Sequence, residues 1–312
     1  MADPPPRTRP IATWRAIIVV ACLLLAGNAF AQAIRVGSKA DNEGAVLGQV
    51  IVQVLRHAGM PVDDRTQLGP TAIVRRALLA GELDIYPEYT GNAAFFFHQE
   101  DNPAFRDASQ AHALAATLDR RSNALVWMQA APADNHWGIA VPHALAEREH
   151  LRTLNDFARW VKSGARVKLA GSAEFVDSAA ALPAFEKAYG FTMRGDQLLV
   201  LAGGDTSVTI KAAAEGTSGV NASMVYLTDG ALAVTGLVVL DDPRRVELVY
   251  QPAPVARAAL LQKYPAIPAL LDPVFGRLDV DTLRRLNART QVDGTDASVV
   301  AHDFLEAIHA LD

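Results

Sequence analysis

Short apolar runs that alternate with amphipathic stretches restrict the fold of this 312-residue chain more than any other feature. Residues 34–36 are a short run of this kind, and the apolar residues within 46–55 recur at three-to-four spacing until Gly59 and Pro61. The first pattern is typical of a strand, and the second is typical of a helix that ends at its glycine and proline. Strands that alternate with helices favour a sheet of parallel strands joined by crossover helices. The sequence therefore predicts an α/β fold.

The segment DIYPEYTGN, residues 84–92, places two tyrosines around a proline directly after a predicted strand. A helix capped by Thr71 and ended by Gly81 leads into that strand, residues 83–86. Ligands bind beyond the carboxyl ends of the strands in such sheets, which is where this segment lies. Tyrosine rings attract cations through their electron-rich faces, so several rings can hold a cation that lacks hydrogen-bond donors. The segment is predicted to be the first part of an aromatic cage for a quaternary ammonium group.

A second α/β block begins near Trp137 and ends near Tyr250. It contains a helix opened by Thr153, a strand at residues 167–170 and a helix closed by Gly190. The remaining segment has helical patterns without a strong strand, and we expect it to return and pack on the first block. The chain is therefore predicted to form two lobes around a cleft, with hinge crossings near residues 136 and 249. The predicted lobes are 34–136 with 250–312, and 137–249.

The first 33 residues have the pattern of a secretory signal peptide. Three arginines precede an apolar run at residues 16–26, and small residues follow it. Cleavage is predicted after Ala31 or Ala33. A membrane anchor is the alternative, but the run is about half of the ~20 residues that a spanning helix needs. The lone Cys22 could mark a lipoprotein, yet the apolar run continues beyond it. We expect a periplasmic protein released by signal cleavage, without a lipid anchor.

Composition and charge exclude several classes of function. A mature chain without Cys22 has no disulfide, thiolate metal site or cysteine nucleophile. The formal net charge is −5 for the whole chain and −7 without the first 33 residues, which argues against nucleic acid as a partner. The eight histidines show no metal-ligand spacing, so neither a metal nor another cofactor is expected. We expect a monomer whose mature length suits two medium-sized cores.

Several longer motifs together carry a family resemblance. They are VGSKADNEG at 36–44, GELDIYPEYTGN at 81–92, SAEF at 172–175, LPAFEKAYGF at 182–191, LAGGDT at 201–206 and YLTDG at 226–230. With these motifs the chain resembles the osmoprotectant-binding proteins of ABC importers, in the glycine betaine, choline and carnitine branch of periplasmic binding proteins. The resemblance implies a type II two-lobed fold with two hinge crossings and a small quaternary-ammonium ligand in the interlobe cleft. It also implies an ABC permease as the membrane partner.

The resemblance implies four cage positions: Tyr89, Trp137, Tyr226 and Tyr250. Trp137 stands where the family usually has a tyrosine, and tryptophan is the best ring for a cation. Each ring could contribute about 0.5 to 2 kcal/mol, depending on how dry the site becomes. The alternative for each ring is a packed side chain at a strand end with its polar atom satisfied. Tyr86 points to the opposite side of its strand and is assigned to the core or the cleft wall.

The resemblance also implies a site for the carboxylate of a betaine. Lys39 follows the first strand just before a helix N-terminus, where an anion is favoured, although a solvated surface lysine is the alternative. Asn92 stands where relatives often carry a threonine that holds the carboxylate, and Asn135 completes the predicted ligand-binding set. Relatives tend to supply an arginine where this chain has Ser178. One hydroxyl in place of a guanidinium fork should remove about 1 to 3 kcal/mol, so the site is expected to bind betaine weakly or to prefer a cation such as choline.

Two other classes of function compete with a binding protein. A secreted α/β hydrolase could use Glu88 or Ser172, but Glu88 has no predicted catalytic partner and Ser172 lies outside a G-x-S-x-G elbow. A ligand-sensing domain on the same fold is the other alternative. We therefore predict a solute receptor that closes around its ligand, not an enzyme.

Overall fold

Two five-stranded mixed sheets form the framework of the protein, as seen in a computed structural model that describes residues 1–3, 33–201 and 206–312. Residues 4–32 of the predicted signal peptide and residues 202–205 of the LAGGDT motif lie outside the described residues. Residues 34–312 form one compact unit. Among the helices of the described residues, none is long and apolar enough to cross a membrane.

The strands are β1 (Ile34–Lys39), β2 (Val62–Gly69), β3 (Ile85–Tyr89), β4 (Leu125–Trp127), β5 (Trp137–Pro142), β6 (Leu169–Ser172), β7 (Leu198–Leu201), β8 (Ala222–Tyr226), β9 (Leu237–Val239) and β10 (Pro252–Arg257). The first sheet has the order β2-β1-β3-β10-β4, and the second has the order β7-β6-β8-β5-β9. β1 is parallel to β2 and β3, and β6 is parallel to β7 and β8. β10 and β5 run antiparallel to their neighbours, because the chain crosses between the sheets before each of them.

The described helices are α1 (Asn42–His57), α2 (Thr71–Leu79), α3 (Thr90–Phe96), α4 (Ala108–Asn123), α5 (His143–Glu149), α6 (Leu154–Lys162), α7 (Ala173–Asp177), α8 (Leu182–Tyr189), α9 (Thr206–Glu215), α10 (Leu232–Thr235), α11 (Ala258–Lys263), α12 (Ile267–Phe275), α13 (Val280–Gln291) and α14 (Ala297–Ala307). Short 3₁₀ turns lie at Pro103–Arg106, Gly195–Gln197 and Thr217–Gly219.

Most of the predicted helix ends agree with local hydrogen bonding. Thr153 forms a capping box with Asp156 at the start of α6, and Gly190 ends α8 with a left-handed backbone. The prediction for Thr71 was wrong. Pro70 occupies the N-cap position and offers no side-chain acceptor, so Thr71 is the first residue of α2. Proline has no side-chain acceptor that would mark it as a helix cap, although its fixed φ suits the start of a helix.

The C-terminal segment returns to the first sheet, as its helical pattern predicted. β10 joins that sheet between β3 and β4, which the sequence pattern did not indicate. α12, α13 and α14 then pack on α1, where Phe275 and Leu283 are fully buried with Val50 and Ile51. Each such apolar side chain stabilises the fold by about 1.5 to 3 kcal/mol.

Two crossing segments connect the sheets and run side by side. The Asn135 backbone N–H donates to the Tyr250 carbonyl at 3.0 Å, and the Tyr250 N–H donates to Asp134 Oδ1 at 2.7 Å. Because both segments are held at this point, β5 and β10 start from fixed positions. Residues at the crossing therefore face both sheets.

A third connection joins the loop after β8 to α13. Arg284 Nε donates to the Leu227 carbonyl at 2.7 Å, and the Gly230 N–H donates to Gln291 Oε1 at 2.8 Å. A Cβ atom at Gly230 would lie 2.2 Å from the Ala288 backbone nitrogen. Real Cβ atoms do not approach backbone so closely, so only glycine allows this distance. We refer to the packing of residues 227–230 on α13 as the α13 contact.

Replacing Gly230 with alanine is expected to break the α13 contact. The added methyl group meets helix backbone, which cannot rotate away, and overpacking of this kind costs about 1 to 3 kcal/mol. Thermal denaturation of Gly230→Ala should show a lower melting temperature than the wild type. Gly195→Ala is the matched control, since no atom lies within 4 Å of a Cβ at that position. Equal melting temperatures for Gly230→Ala and Gly195→Ala would contradict the expected clash.

Candidate ligand-binding cleft

A cleft of about 1020 Å³ lies where the strand ends of the two sheets face each other. Its walls contain every predicted ligand-binding residue, together with Ser178: Lys39, Tyr89, Asn92, Asn135, Trp137, Tyr226 and Tyr250. Lys39 and Tyr89 are the last residues of β1 and β3, whereas Trp137 begins β5 and Tyr226 ends β8. The fold therefore brings these distant residues to one cavity.

Trp137 and Tyr226 form the aromatic wall on the second sheet. They are directly opposite each other on β5 and β8, and their ring centroids are 6.0 Å apart with planes at 31°. Phe175 packs edge-on against Trp137 with a centroid distance of 6.0 Å, which holds the indole in place. Burial raises the pKa of Tyr226 to about 12, so its phenol is neutral at physiological pH.

Tyr250 contributes a ring from the crossing segment. A Cβ atom at Gly91 would lie 2.7 Å from Tyr250 Cε1, so the absence of a side chain at Gly91 makes room for the ring. Burial raises the pKa of Tyr250, and its phenol is therefore neutral as well. The TG pair in the PEYTGN motif thus has a steric role in addition to starting α3.

Tyr89 is held at the base of the cleft by Glu43. The buried Tyr89 hydroxyl donates to Glu43 Oε1 at 2.7 Å. Glu43 also accepts from Asn135 Nδ2 at 3.1 Å and from Asn287 Nδ2 at 2.6 Å. Burial raises the pKa of the Glu43 carboxyl above its ordinary value. Glu43 had no predicted role, although it lies within the VGSKADNEG motif.

Lys39 is buried, so the alternative of a solvated surface lysine was wrong. Its side chain is 8% exposed, and Nζ lies 2.8 Å from Glu88 Oε1. The same ammonium lies 4.3 Å from the centroid of the Tyr89 ring. The positive charge of Lys39 is therefore already balanced by Glu88, and it occupies one face of a predicted cage ring. A ligand carboxylate would have to share Lys39 with Glu88.

Glu88 is a buried hydrogen-bond acceptor with several donors around it. Tyr86 Oη donates to Oε2 at 2.6 Å, and Asn92 Nδ2 donates to Oε1 at 2.7 Å. Tyr86 is fully buried in the core, in agreement with its assignment away from the cage. Ser172, the other residue considered for hydrolysis, caps α7 by accepting from the Phe175 N–H at 3.0 Å. Both residues thus have structural partners.

Ser178 lies on the cleft wall just after α7, at the position where an arginine was expected from the resemblance. Its Oγ accepts a hydrogen bond from the Ala180 N–H at 3.3 Å. One hydroxyl is therefore the polar group that this position offers to a ligand.

Several buried polar atoms of the cleft have no partner among the described residues. They are Asn135 Oδ1, Trp137 Nε1, Glu247 Oε1 and Asn287 Oδ1. All four residues line the cavity. Because buried polar atoms are nearly always paired, atoms of this kind on a cavity wall indicate where a ligand makes hydrogen bonds.

The lining residues without a predicted ligand role include Phe95, Arg106 and Glu247. Phe95 is 43% exposed. Burial, followed by the negative charge of Asp242, raises the pKa of Glu247 to about 8. Phe95 belongs to an apolar triplet, whereas Arg106 and Glu247 lie in segments without periodicity. Local sequence patterns therefore do not mark any of them as cleft residues.

Comparison with known proteins gives the class to which this fold and cleft belong. Residues 32–307 match the OpuAC family model, the substrate-binding domain of ABC-type glycine betaine transport systems. The chain belongs to this family.

Among the described residues, no group of three or more histidine, cysteine, aspartate or glutamate side chains could hold a metal ion.

Individual relatives cover almost the whole chain. It is 50% identical over 293 residues to the glycine betaine-binding protein YehZ of Escherichia coli, covering 94% of this chain and 96% of YehZ. It is 30% identical over 303 residues to a glycine-betaine-binding protein of Pseudomonas aeruginosa, covering 95% and 94% of the two chains.

Solved structures confirm the two-lobed binding-protein fold. The structure of apo YehZ from Escherichia coli matches with a TM-score of 0.80 and 52% identity, covering 90% of this chain and all of that chain. A glycine betaine/carnitine/choline ABC transporter structure matches with a TM-score of 0.78 at 20% identity, covering 89% of this chain and all of that chain. The second likeness concerns the fold alone.

The raised pKa of Glu247 predicts a pH-dependent stability. The folded state keeps the proton up to about pH 8, whereas the unfolded state loses it near the ordinary value of 4.5. The free energy of unfolding should therefore fall as pH rises between these values, by at most about 1.4 kcal/mol per pH unit from this group. In Glu247→Gln that contribution is absent, so the variant should gain stability relative to the wild type as pH rises. Urea denaturation at pH 5, 6, 7 and 8 measures the difference.

Glu174→Gln is the matched control for this measurement, because Glu174 also lines the cleft but is exposed. Its stability curve should run parallel to that of the wild type. The same pH slope for Glu247→Gln and the wild type would mean that Glu247 ionises normally.

Proposed function

We propose that this protein is the extracytoplasmic substrate-binding component of an ABC importer and that it binds a quaternary-ammonium osmolyte, such as glycine betaine or choline. Closure of two lobes around the ligand would then present it to the permease. Ligand favours closure only through contacts that differ between the open and closed states. No catalytic step is part of this proposal.

The observation that carries the proposal is the meeting of four aromatic rings from distant segments in one cleft. Tyr89 comes from the first sheet, Trp137 and Tyr226 come from the second, and Tyr250 comes from the crossing. Because both sheets contribute rings, a complete cage requires the lobes to be closed. Ring faces bind a methylated ammonium without needing hydrogen-bond donors from it. The names of the relatives support the same ligand class, since two of them are glycine betaine-binding proteins.

Further parts of the proposal concern maturation and organisation. We propose that residues 1–33 are a signal peptide cleaved after Ala31 or Ala33, and that the mature protein is a monomer in the periplasm. The proposed lobes are residues 34–136 with 250–312, and residues 137–249. The division of the strands between the two sheets supports this boundary.

Removal of a cage ring is expected to weaken ligand binding. Trp137→Ala and Tyr250→Ala should each lose about 0.5 to 2 kcal/mol, which is about 2- to 30-fold in affinity. Ligand-induced melting shifts with glycine betaine, choline, carnitine, proline betaine and neutral amino acids test both the class and the cage. Wild-type shifts limited to quaternary amines support the proposed function.

Tyr264→Ala is the control for this test, since Tyr264 packs against the core of the first sheet and does not line the cleft. It should change the melting temperature without changing the ligand-induced shift. If the Trp137 and Tyr250 variants keep the full shift, the cage assignment is wrong even where the ligand class is right.

A Ser178→Arg substitution is expected to tighten glycine betaine binding. A guanidinium fork at the cleft wall would add charge-assisted hydrogen bonds of about 1 to 3 kcal/mol to the ligand carboxylate. Choline has no carboxylate and should gain nothing. Calorimetric titration measures both affinities, with Ser163→Arg as a control that adds the same charge at an exposed position outside the cleft. An unchanged betaine affinity in Ser178→Arg would remove this explanation.

A further inference from the structure

Arg106 brings a positive charge into the cleft from an irregular segment. It ends the 3₁₀ turn Pro103–Arg106, and its Nε donates to the Val246 carbonyl at 3.2 Å. The adjacent Phe105 carbonyl accepts from the Val249 N–H at 2.8 Å, which ties the turn to the crossing segment. Within the described part of the chain, no carboxylate forms an ion pair with the Arg106 guanidinium. The rest of its fork is therefore available to the cleft.

Glu247 lies on the same wall and is almost completely buried. The residue is 7% exposed, and its Oε1 atom has no hydrogen-bond partner among the described residues. The charged groups that act on it are Asp242, Arg106 and Asp134, and its own charge acts on Tyr250. With its pKa raised to about 8, the carboxyl is mostly protonated at neutral pH and can donate a hydrogen bond. Arg106 and Glu247 thus both line the cavity, and they are close enough for the charge of Arg106 to act on Glu247.

The other carboxylate-binding candidates are less available. Lys39 is already paired with Glu88 at 2.8 Å, and Ser178 offers one hydroxyl. The described residues that line the cleft include one lysine, Lys39, and one arginine, Arg106. An unpaired guanidinium can bind a carboxylate with two parallel hydrogen bonds, which an ammonium cannot do.

We infer that Arg106 and Glu247 form a subsite for the carboxylate of a zwitterionic quaternary-ammonium ligand, on the crossing segment beside Tyr250. Arg106 supplies the charge and the protonated Glu247 supplies a neutral donor. This inference rests on the proposed function, and it assigns the carboxylate donors that the wild-type chain has in the absence of an arginine at position 178. The cation of the ligand then faces the aromatic rings.

Arg106→Gln tests the subsite, with Arg106→Lys as the conservative variant. Calorimetric titration with glycine betaine should show at least a tenfold loss for Arg106→Gln, and a partial recovery for Arg106→Lys. The preference for glycine betaine over choline should fall by a similar factor, because choline has no carboxylate. Arg76→Gln, which removes an exposed arginine outside the cleft, should retain wild-type affinity. The melting temperatures of the ligand-free variants show whether each one folds.

A second measurement addresses Glu247 through its protonation. As pH rises from 7 to 9, Glu247 ionises, and its negative charge should repel the bound carboxylate and weaken glycine betaine binding several-fold. Glu247→Gln keeps a donor but cannot ionise, so its affinity should stay nearly constant over the same range. Each protein is compared with itself at different pH values, so the result does not depend on the absolute affinities of the wild type and the variant.

The outcomes separate the inference from the proposed function. If the wild type binds glycine betaine and a folded Arg106→Gln loses less than threefold in affinity, the subsite is wrong and the proposed function stands. An equal loss for glycine betaine and choline also overturns the subsite, because the arginine then acts on the fold of the cleft. If the wild type binds no quaternary amine, both the proposed function and the subsite fail.

Discussion

The buried carboxylate of Glu43 connects the parts of the protein that must be in register for the cleft to exist. It accepts hydrogen bonds from Tyr89 on the first sheet, Asn135 on the crossing segment and Asn287 on α13. Leaving the oxygens of a buried carboxyl group without hydrogen bonds would be costly. The position of the Tyr89 ring therefore depends on elements that are far from it in sequence. A change in any of these partners would reach the cleft through Glu43.

The cleft offers different chemical groups to the cationic end and to the anionic end of a zwitterion. Its aromatic groups are neutral phenols and an indole, which suits a methylated cation. Its lysine is paired with a glutamate, and its wall carries a serine at position 178. Ligand selectivity should therefore depend more on the anionic end than on the cationic end. Glycine betaine and choline share a trimethylammonium head, so a comparison of their affinities isolates the contribution of the other end.

Local patterns in the sequence predicted the strands β1, β3, β5 and β6, several helices and the two α/β blocks. Periodicity and end signals coincide at β1, α1, α2 and β3, whereas β2 was not predicted because its sequence VDDRTQLG lacks an apolar run. Position 71 was misassigned because a proline cap leaves no side-chain signal. The sequence did not predict that β10 joins the first sheet, because strand pairing depends on contacts between residues that are far apart in the chain. The same limit applies to the opposition of Trp137 and Tyr226, which follows from β-strand register. Arg106 and Glu247 reach the cleft from irregular segments, where no periodicity marks a buried face.

The α13 contact has a consequence for how affinity can change in this protein. Its hydrogen bonds and the packing of Gly230 favour conformations in which residues 227–230 stay on α13, and each such hydrogen bond contributes about 0.5 to 1.5 kcal/mol net. The apparent affinity of a receptor is its intrinsic affinity reduced by the fraction of molecules in the competent conformation. Substitutions along α13 can therefore retune uptake over a wide range of osmolyte concentrations while every residue that touches the osmolyte stays the same.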